Sequence, residues 1–240
     1  MIKMLKLTPV ILLTIFGCKP SADPGLKFHD PKFEKAVLSI HPEVDANKDG
    51  RIDKAEAESV RQLHLLGQGL TTATDIRHFP NLETLAFSIN EIREFKISGF
   101  KHLKGLYGAR NQLATVEITD MPVLNDIAFG LNQLKGITIN NCPDLESLNL
   151  MDNQIMELDL KSFPKLEVLT VDNNKLTAID VSQNPELVQI VINGNNIAEV
   201  DVRNNPKLKM NILYKDEATK IIGTPEQMKT YSRAPVVIAQ

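Results

Sequence analysis

The side chains best suited to chemistry in this 240-residue chain lie near its start, where residues 45–56 read DANKDGRIDKAE. Asp45, Asn47 and Asp49 alternate along one side of a tight turn, and Gly50 supplies the backbone bend. The carbonyl of Arg51 adds an oxygen, Asp53 reaches inward directly or through water, and Glu56 can close the sphere with both carboxylate oxygens. Hard oxygen donors at this spacing suit a hard divalent cation, Ca²⁺ before others. A second candidate is Cys18, which follows Lys3, Lys6 and an apolar stretch over 7–16. That stretch is too short to span a bilayer and has the layout of an export signal.

Catalysis finds no such support. The five histidines, His29, His41, His64, His78 and His102, have no metal-ligand spacing, and no GxSxG, HExxH, P-loop or GxGxxG occurs. The chain therefore reads as a non-enzyme with no small-molecule substrate. A formal charge of −3 without a run of Lys and Arg leaves no footprint for nucleic acid. Two cysteines cannot build a disulfide scaffold.

Elements to position the oxygen donors are legible on both sides of the loop. Asp30-Pro31 starts a helix as cap and first residue, and Phe33, Ala36, Val37 and Ile40 recur at helical spacing. Asp53 and Glu56 have capping-box spacing and open a second helix. Residues 30–59 thus resemble an EF-hand-like helix-loop-helix. A single copy implies a structural calcium site rather than a switch, with affinity of ~10⁻⁴ to 10⁻³ M. Ile15-Phe16-Gly17-Cys18 resembles the lipobox of bacterial lipoproteins. That resemblance implies a signal peptide over 1–17, acylation of Cys18, a tether over 18–29 and a lipid-anchored place in the bacterial cell envelope, at the outer membrane, on its surface or periplasmic side.

From Leu82 onward the chain repeats. Leu82, Leu103, Leu124, Leu145, Leu166, Leu187 and Leu208 stand 21 residues apart, and each of the first six is followed eight residues later by Asn. Pro precedes six of the seven Leu marks by two residues, Lys101 replacing it once. A second apolar pair in each turn, from Phe95/Ile97 to Val200/Val202, has period-two alternation and predicts an extended outer side without helices. A further column runs Phe79, Phe100, Met121, Cys142 and Phe163 before changing to Asn184 and Asn205, which makes Cys142 a core spectator.

These marks resemble a bacterial leucine-rich-repeat array, internalin-like in design. An EF-hand-like unit ahead of 21-residue repeats and behind a lipobox is similar to surface-protein architectures common in Bacteroidetes-type bacteria. The resemblance implies an α/β-type repeat fold, mostly β: a solenoid of short parallel strands over 60–214, with a helix-loop-helix cap before it and a C-terminal cap over 215–240. There, Thr224-Pro225 predicts a helix start and residues 234–239 a closing strand. The outward residues of the short strands would form one concave surface, carrying His64, Ala86, Tyr107, Ala128, Asn149, Met151, Val168, Thr170, Val191, Ile212 and Tyr214, with Met210 beside them. That surface is small, mixed and poor in charge, as a protein-binding face can be. The reading is a membrane-anchored module that binds a protein partner. The alternative is an envelope spacer, or an accessory subunit, with no ligand of its own.

Overall fold

The structure is a computed structural model that describes residues 25–231. The signal segment, Cys18 and the 234–239 run lie outside the described residues. Eight short strands stack into one parallel sheet: Gln62–His64, Thr84–Ala86, Gly105–Tyr107, Asp126–Ala128, Ser147–Asn149, Val168–Thr170, Gln189–Val191 and Leu213–Tyr214. Leu85, Leu106, Ile127, Leu148, Leu169 and Ile190 are mutual register partners, so the 21-residue period is the pitch of a solenoid. Nearly every strand buries its central residue and turns its two flanks outward, as alternation requires. The fold is a leucine-rich-repeat solenoid.

Three side-chain devices hold the coils in step. The Pro marks sit second in a turn: the N–H of Leu124 donates to the Met121 carbonyl at 3.3 Å, and Leu166 and Leu187 do the same to Phe163 and Asn184 at 3.1 Å. Proline's fixed φ suits that place. The Asn marks form a buried ladder. Asn153 Nδ2 donates to the carbonyls of Phe129, Leu150 and Met151 at 3.1, 3.0 and 3.1 Å, and its Oδ1 accepts from the N–H of Leu134 at 3.0 Å. Asn111 and Asn174 repeat the pattern in their own coils. Each amide therefore satisfies main-chain groups of two successive coils at the bend. The third device is volume. Gly108 stands in a core column between Phe87 and Phe129, and a Cβ on it would lie 2.5 Å from the Phe129 ring and 2.7 Å from Phe87.

The outer side is extended where the sequence predicts it only in part. Glu94–Ser98, Thr115–Thr119 and Thr138–Asn140 pair as a three-stranded sheet, and Glu199–Asp201 pairs with Lys220–Ile222. The two coils between carry no strand. There Asp159 Oδ1 accepts from the N–H of Lys161, and Asp180 Oδ1 from that of Ser182, both at 3.0 Å. These local turns withdraw the N–H that a ladder would use.

Both ends are capped. Helix α1, Pro31–Ile40, buries Phe33, Ala36 and Val37, whereas Ile40 is exposed, contrary to its assignment to the apolar face. Helix α2 is Lys54–Ser59, with the reciprocal Asp53–Glu56 box in place. The cap is bolted to the array through Asp75, a fully buried carboxylate that accepts the N–H groups of His29 and Asp30, both at 2.8 Å. Phe28 and Phe33 pack with Phe79 beside it. At the other end Gln227 of helix α3, Pro225–Tyr231, donates Nε2 to the carbonyls of Val202 and Asn205 at 2.9 and 3.1 Å.

The last coil departs from the 21-residue reading. Ile190 pairs with Leu213, a step of 23 residues, because Met210–Ile212 form a helical turn that takes up the extra length. Met210 is consequently buried, and Ile212 stands in that turn and not on a concave strand. Among the described residues no helix is long and apolar enough to cross a membrane.

Candidate functional site

The 45–56 loop is wound around its own oxygen donors. Asp45 accepts from the N–H groups of Asp49 and Gly50 at 3.0 and 2.9 Å, and Asn47 Oδ1 accepts from Asp49 at 2.8 Å. Asp49 Oδ1 accepts from the N–H of Arg51 at 2.9 Å. Glu56 is 6% exposed, and its two oxygens accept from Asn47 at 3.2 Å and Asp53 at 2.9 Å, closing the loop from behind. Gly50 lies at φ 81°, with nothing within 4 Å of where a Cβ would stand, so the bend needs glycine for conformation and not for space. The donor set of five oxygen-bearing side chains and the Arg51 carbonyl fits a hard cation. Among the described residues, however, no three Asp, Glu, His or Cys side chains already converge on one point.

The partner edge of this loop is occupied within the chain. Ile52 is fully buried; its carbonyl accepts from the N–H of Leu26 at 2.8 Å and its N–H donates to Glu34 Oε1 at 3.2 Å. A paired loop would use that edge, so a lone loop is complete here.

The concave sheet carries Ala86, Tyr107, Ala128, Asn149, Val168, Thr170, Val191 and Tyr214 half-buried on its outward face, with His64 exposed at its first edge. His64 is also tied down, since its N–H donates to His41 Nε2 at 3.1 Å, and His41 Nδ1 lies 3.1 Å from Glu43. The cap thereby covers the sheet edge, which would otherwise be open to pairing. Tyr107 lies flat: its ring covers Gly105, where a Cβ would be 2.9 Å from it, and its hydroxyl donates to Asp126 Oδ2 at 2.8 Å. Burial and the Asp126 carboxylate push the Tyr107 phenol up to about 12. Met151 folds over Gly130 in the same manner, with its Cγ 2.8 Å from where a Cβ would stand. The acids of this surface, Asp126 and Asp172, have no cation beside them, whereas ion pairs such as Lys96–Glu117 at 3.5 Å and Lys165–Asp144 at 2.7 Å lie elsewhere. Burial raises the carboxyl of Asp172 above the ordinary range, with Asp152 adding to it.

Sequence reasoning missed Asp75 and His41 as ties between cap and array. Asp75 and His41 bridge cap and array over 46 and 23 residues, and neither falls on a periodic mark. Two clefts on the outer side, of about 180 and 120 Å³, are lined by 137–140 with Leu158 and Phe163, and by Ala73–Thr74 with Phe95–Ser98. Both are smaller than a typical ligand pocket of roughly 300–1,000 Å³. Cys142 is 1% exposed, its Sγ lies 3.3 Å from the Asn140 carbonyl, and burial pushes its thiol up, which suits a core spectator.

No family model matches the chain, and no curated protein matches it. Solved structures do. Internalin C2 from Listeria monocytogenes is similar at 21% identity and a TM-score of 0.50, over 82% of this chain and 94% of that one. A TLR13 chain, solved as a TLR13–ssRNA13 complex, is similar at 17% identity and a TM-score of 0.52, over 71% of this chain; the match spans 27% of the TLR13 chain. A leucine-rich-repeat protein of Leptospira interrogans is 16% identical, with a TM-score of 0.44, over 75% of this chain and 60% of its own.

Proposed function

We propose that this leucine-rich-repeat solenoid is a bacterial envelope protein that captures a protein partner on its concave sheet. Supporting this reading is one observation above the rest: the outward face of the eight strands is small, mixed and without Lys or Arg, and two large side chains, Tyr107 on it and Met151 just past the Ser147–Asn149 strand, are laid over glycines. Side chains held in place before binding lose little entropy on contact. Solenoids of this kind offer such extended concave surfaces to partners.

Two further assignments complete the proposal. Cys18 carries the lipid that anchors the protein at the outer membrane, and the 45–56 loop holds Ca²⁺ through Asp45, Asn47, Asp49, the Arg51 carbonyl, Asp53 and Glu56. When bound, the cation supplies charge neutralisation to a loop with several carboxylates and stiffens the cap that covers the first sheet edge.

Each part has its own test. Tyr107→Glu with Met151→Glu is expected to abolish capture of cross-linked partners from intact cells; unchanged capture would leave the spacer reading instead. Added Ca²⁺ at millimolar concentration should raise the melting temperature, corresponding to about 1–2 kcal/mol, and Asp45→Ala with Glu56→Ala should remove the rise. Protease shaving of intact cells decides the side of the membrane, and labelling with a radioactive fatty acid that is lost in Cys18→Ser decides the anchor.

A further inference from the structure

Two histidine rings stand where the cap meets the array, and neither lies on a concave strand. His41 is the C-cap residue of α1 and is engaged at both ring nitrogens. Its Nε2 accepts the N–H of His64 on the first strand at 3.1 Å, and its Nδ1 lies 3.1 Å from Glu43 Oε1. A ring nitrogen that accepts carries no proton, so the neutral ring holds its one proton on Nδ1. His78 belongs to the array, at the end of the helical turn Thr74–His78. Its Nε2 is buried without a hydrogen-bond partner, 3.8 Å from Asp75 Oδ1. Phe28 packs against this ring edge-on, with centroids 5.1 Å apart.

A second proton has opposite consequences at the two rings. On His41 it goes to Nε2, which then sets an N–H against the N–H of His64, donor to donor across 3.1 Å. The His64 ring, its centroid 6.1 Å away, gains charge in the same pH range and repels the first. Glu43 does not oppose the parting. Its carboxyl is held below the usual range, by its own backbone N–H first and by His41 second, so it stays charged. It also sits in the turn Pro42–Val44 and moves with His41. On His78 the proton supplies a cation to the buried Asp75 carboxylate, which Arg77 approaches to 3.9 Å and which holds the N–H groups of His29 and Asp30. Acid therefore weakens the tie at the sheet edge and not the bolt behind it. Packing divides in the same place: Phe33, Ala36 and Val37 seat α1, whereas Ile40 beside His41 is exposed and Val44 is the buried residue of the turn that follows.

We propose that His41 is an acid-released clasp on the first edge of the concave sheet: its protonation frees the strand Gln62–His64 from residues 41–44, while Asp75 keeps α1 in place. The His64 N–H then points outward from an uncovered edge, where an added strand could accept it. The clasp works by local opening, since one of the two holds on the 41–44 stretch is lost and the core of the cap is not. The inference stands apart from what the concave sheet captures and from any cation in the 45–56 loop.

Hydrogen exchange of the full chain, read by mass spectrometry at about pH 7.5 and about pH 5.5, brackets the range in which histidine titrates and tests the clasp. EDTA is present throughout, so that acid cannot act by expelling a cation from the 45–56 loop. Protection, corrected for the intrinsic exchange rate at each pH, is expected to fall at least about tenfold for His64 in acid, and to stay within about twofold for His29, Asp30, Ala36 and Val37. In His41→Gln, which keeps an acceptor but takes no proton, the difference between the two pH values should vanish. Glu43→Gln, an exposed change that leaves His41 in place, should make opening require more acid, because the cationic ring loses its carboxylate. Equal His64 protection at both pH values, a difference that persists in His41→Gln, a fall that spreads to Ala36 and Val37, or opening of Glu43→Gln at the same or higher pH would each overturn the proposal.

Discussion

Up to Phe163 the column before each Pro turn is filled by Phe79, Phe100, Met121, Cys142 and Phe163; the next two coils place Asn184 and Asn205 there, and Gln227 of the terminal helix continues the series. The outer side changes over the same stretch, from paired strands to local Asp turns. Meanwhile the inner sheet and its Asn ladder continue in step as far as Asn195. Early coils fill volume with apolar side chains, and late coils satisfy main-chain carbonyls with amides. The amides carry a cost that the apolar side chains do not: Asn184 Oδ1 and Asn205 Oδ1 are buried with no hydrogen-bond partner. The difference separates what the solenoid requires, the ladder and the inward leucines, from what each coil is free to exchange.

The sharpest way to break that division is to remove a rung of the ladder that both halves share. Asn153→Ala would leave the Leu134 N–H without its partner and remove one of two donors from each of the carbonyls of Phe129 and Leu150, which keep Asn132 Nδ2 and Asn174 Nδ2. With about 1–3 kcal/mol for a buried group left unsatisfied, and the lost amide bonds besides, a loss of about 2–3 kcal/mol is expected in urea titration. The ring-filled half has a weak point of its own. Gly108→Val would drive two methyl groups into Phe87 and Phe129 and should cost about 2–3 kcal/mol. Phe129→Leu in the same chain, which gives that position the residue its successor Leu150 has, should recover part of the loss, and additive penalties would mean that Gly108 and Phe129 do not share a volume.

The amide-filled half should be more forgiving. Asn184→Ala removes donors to the carbonyls of Leu160 and Phe163 at 2.9 and 2.8 Å, yet also removes an acceptor that the native state leaves unpaired. The Phe163 carbonyl keeps the N–H of Leu166. A loss of about 1 kcal/mol is expected, well below that of Asn153→Ala. Equal losses would show that the two buried asparagines do the same job.

The same division explains what could be read in advance. The 21-residue pitch, the inward leucines and the Asn marks are legible because each coil meets an equivalent coil, so one physical demand recurs at one spacing. Helix starts at Asp30 and Thr224 are legible because capping is local. What escaped is single-copy chemistry between distant residues. Nothing around Asp75 marks it as the buried acceptor for His29 and Asp30, and nothing in Met210–Ile212 marks two extra residues in the last step. Ile40 kept helical spacing and still faces solvent, since the neighbour it needed is absent at that end of α1. The 45–56 loop was legible as a donor pattern, whereas its own N–H groups engaging those donors depend on backbone turns that composition does not reveal.

The smallest effect lies on the concave face, where the early coils again differ from the late ones. Tyr107 pairs with Asp126 across adjacent strands, and the corresponding positions further on are Thr170 and Val191, which make no such bond. Burial first, and the carboxylate second, hold the phenol neutral up to about 12, against an ordinary value of 10.0. The unfolded chain therefore releases this proton before the folded one does. The pair's contribution is complete below pH 10, falls as pH rises and is gone above about 12. Absorbance at 295 nm should show Tyr107 titrating late, and Asp126→Asn should bring that titration down. A late tyrosine that ignores Asp126→Asn would mean that burial alone holds the ring, and that the flat surface offered to a partner is set by Gly105 beneath it and not by the bond at its tip.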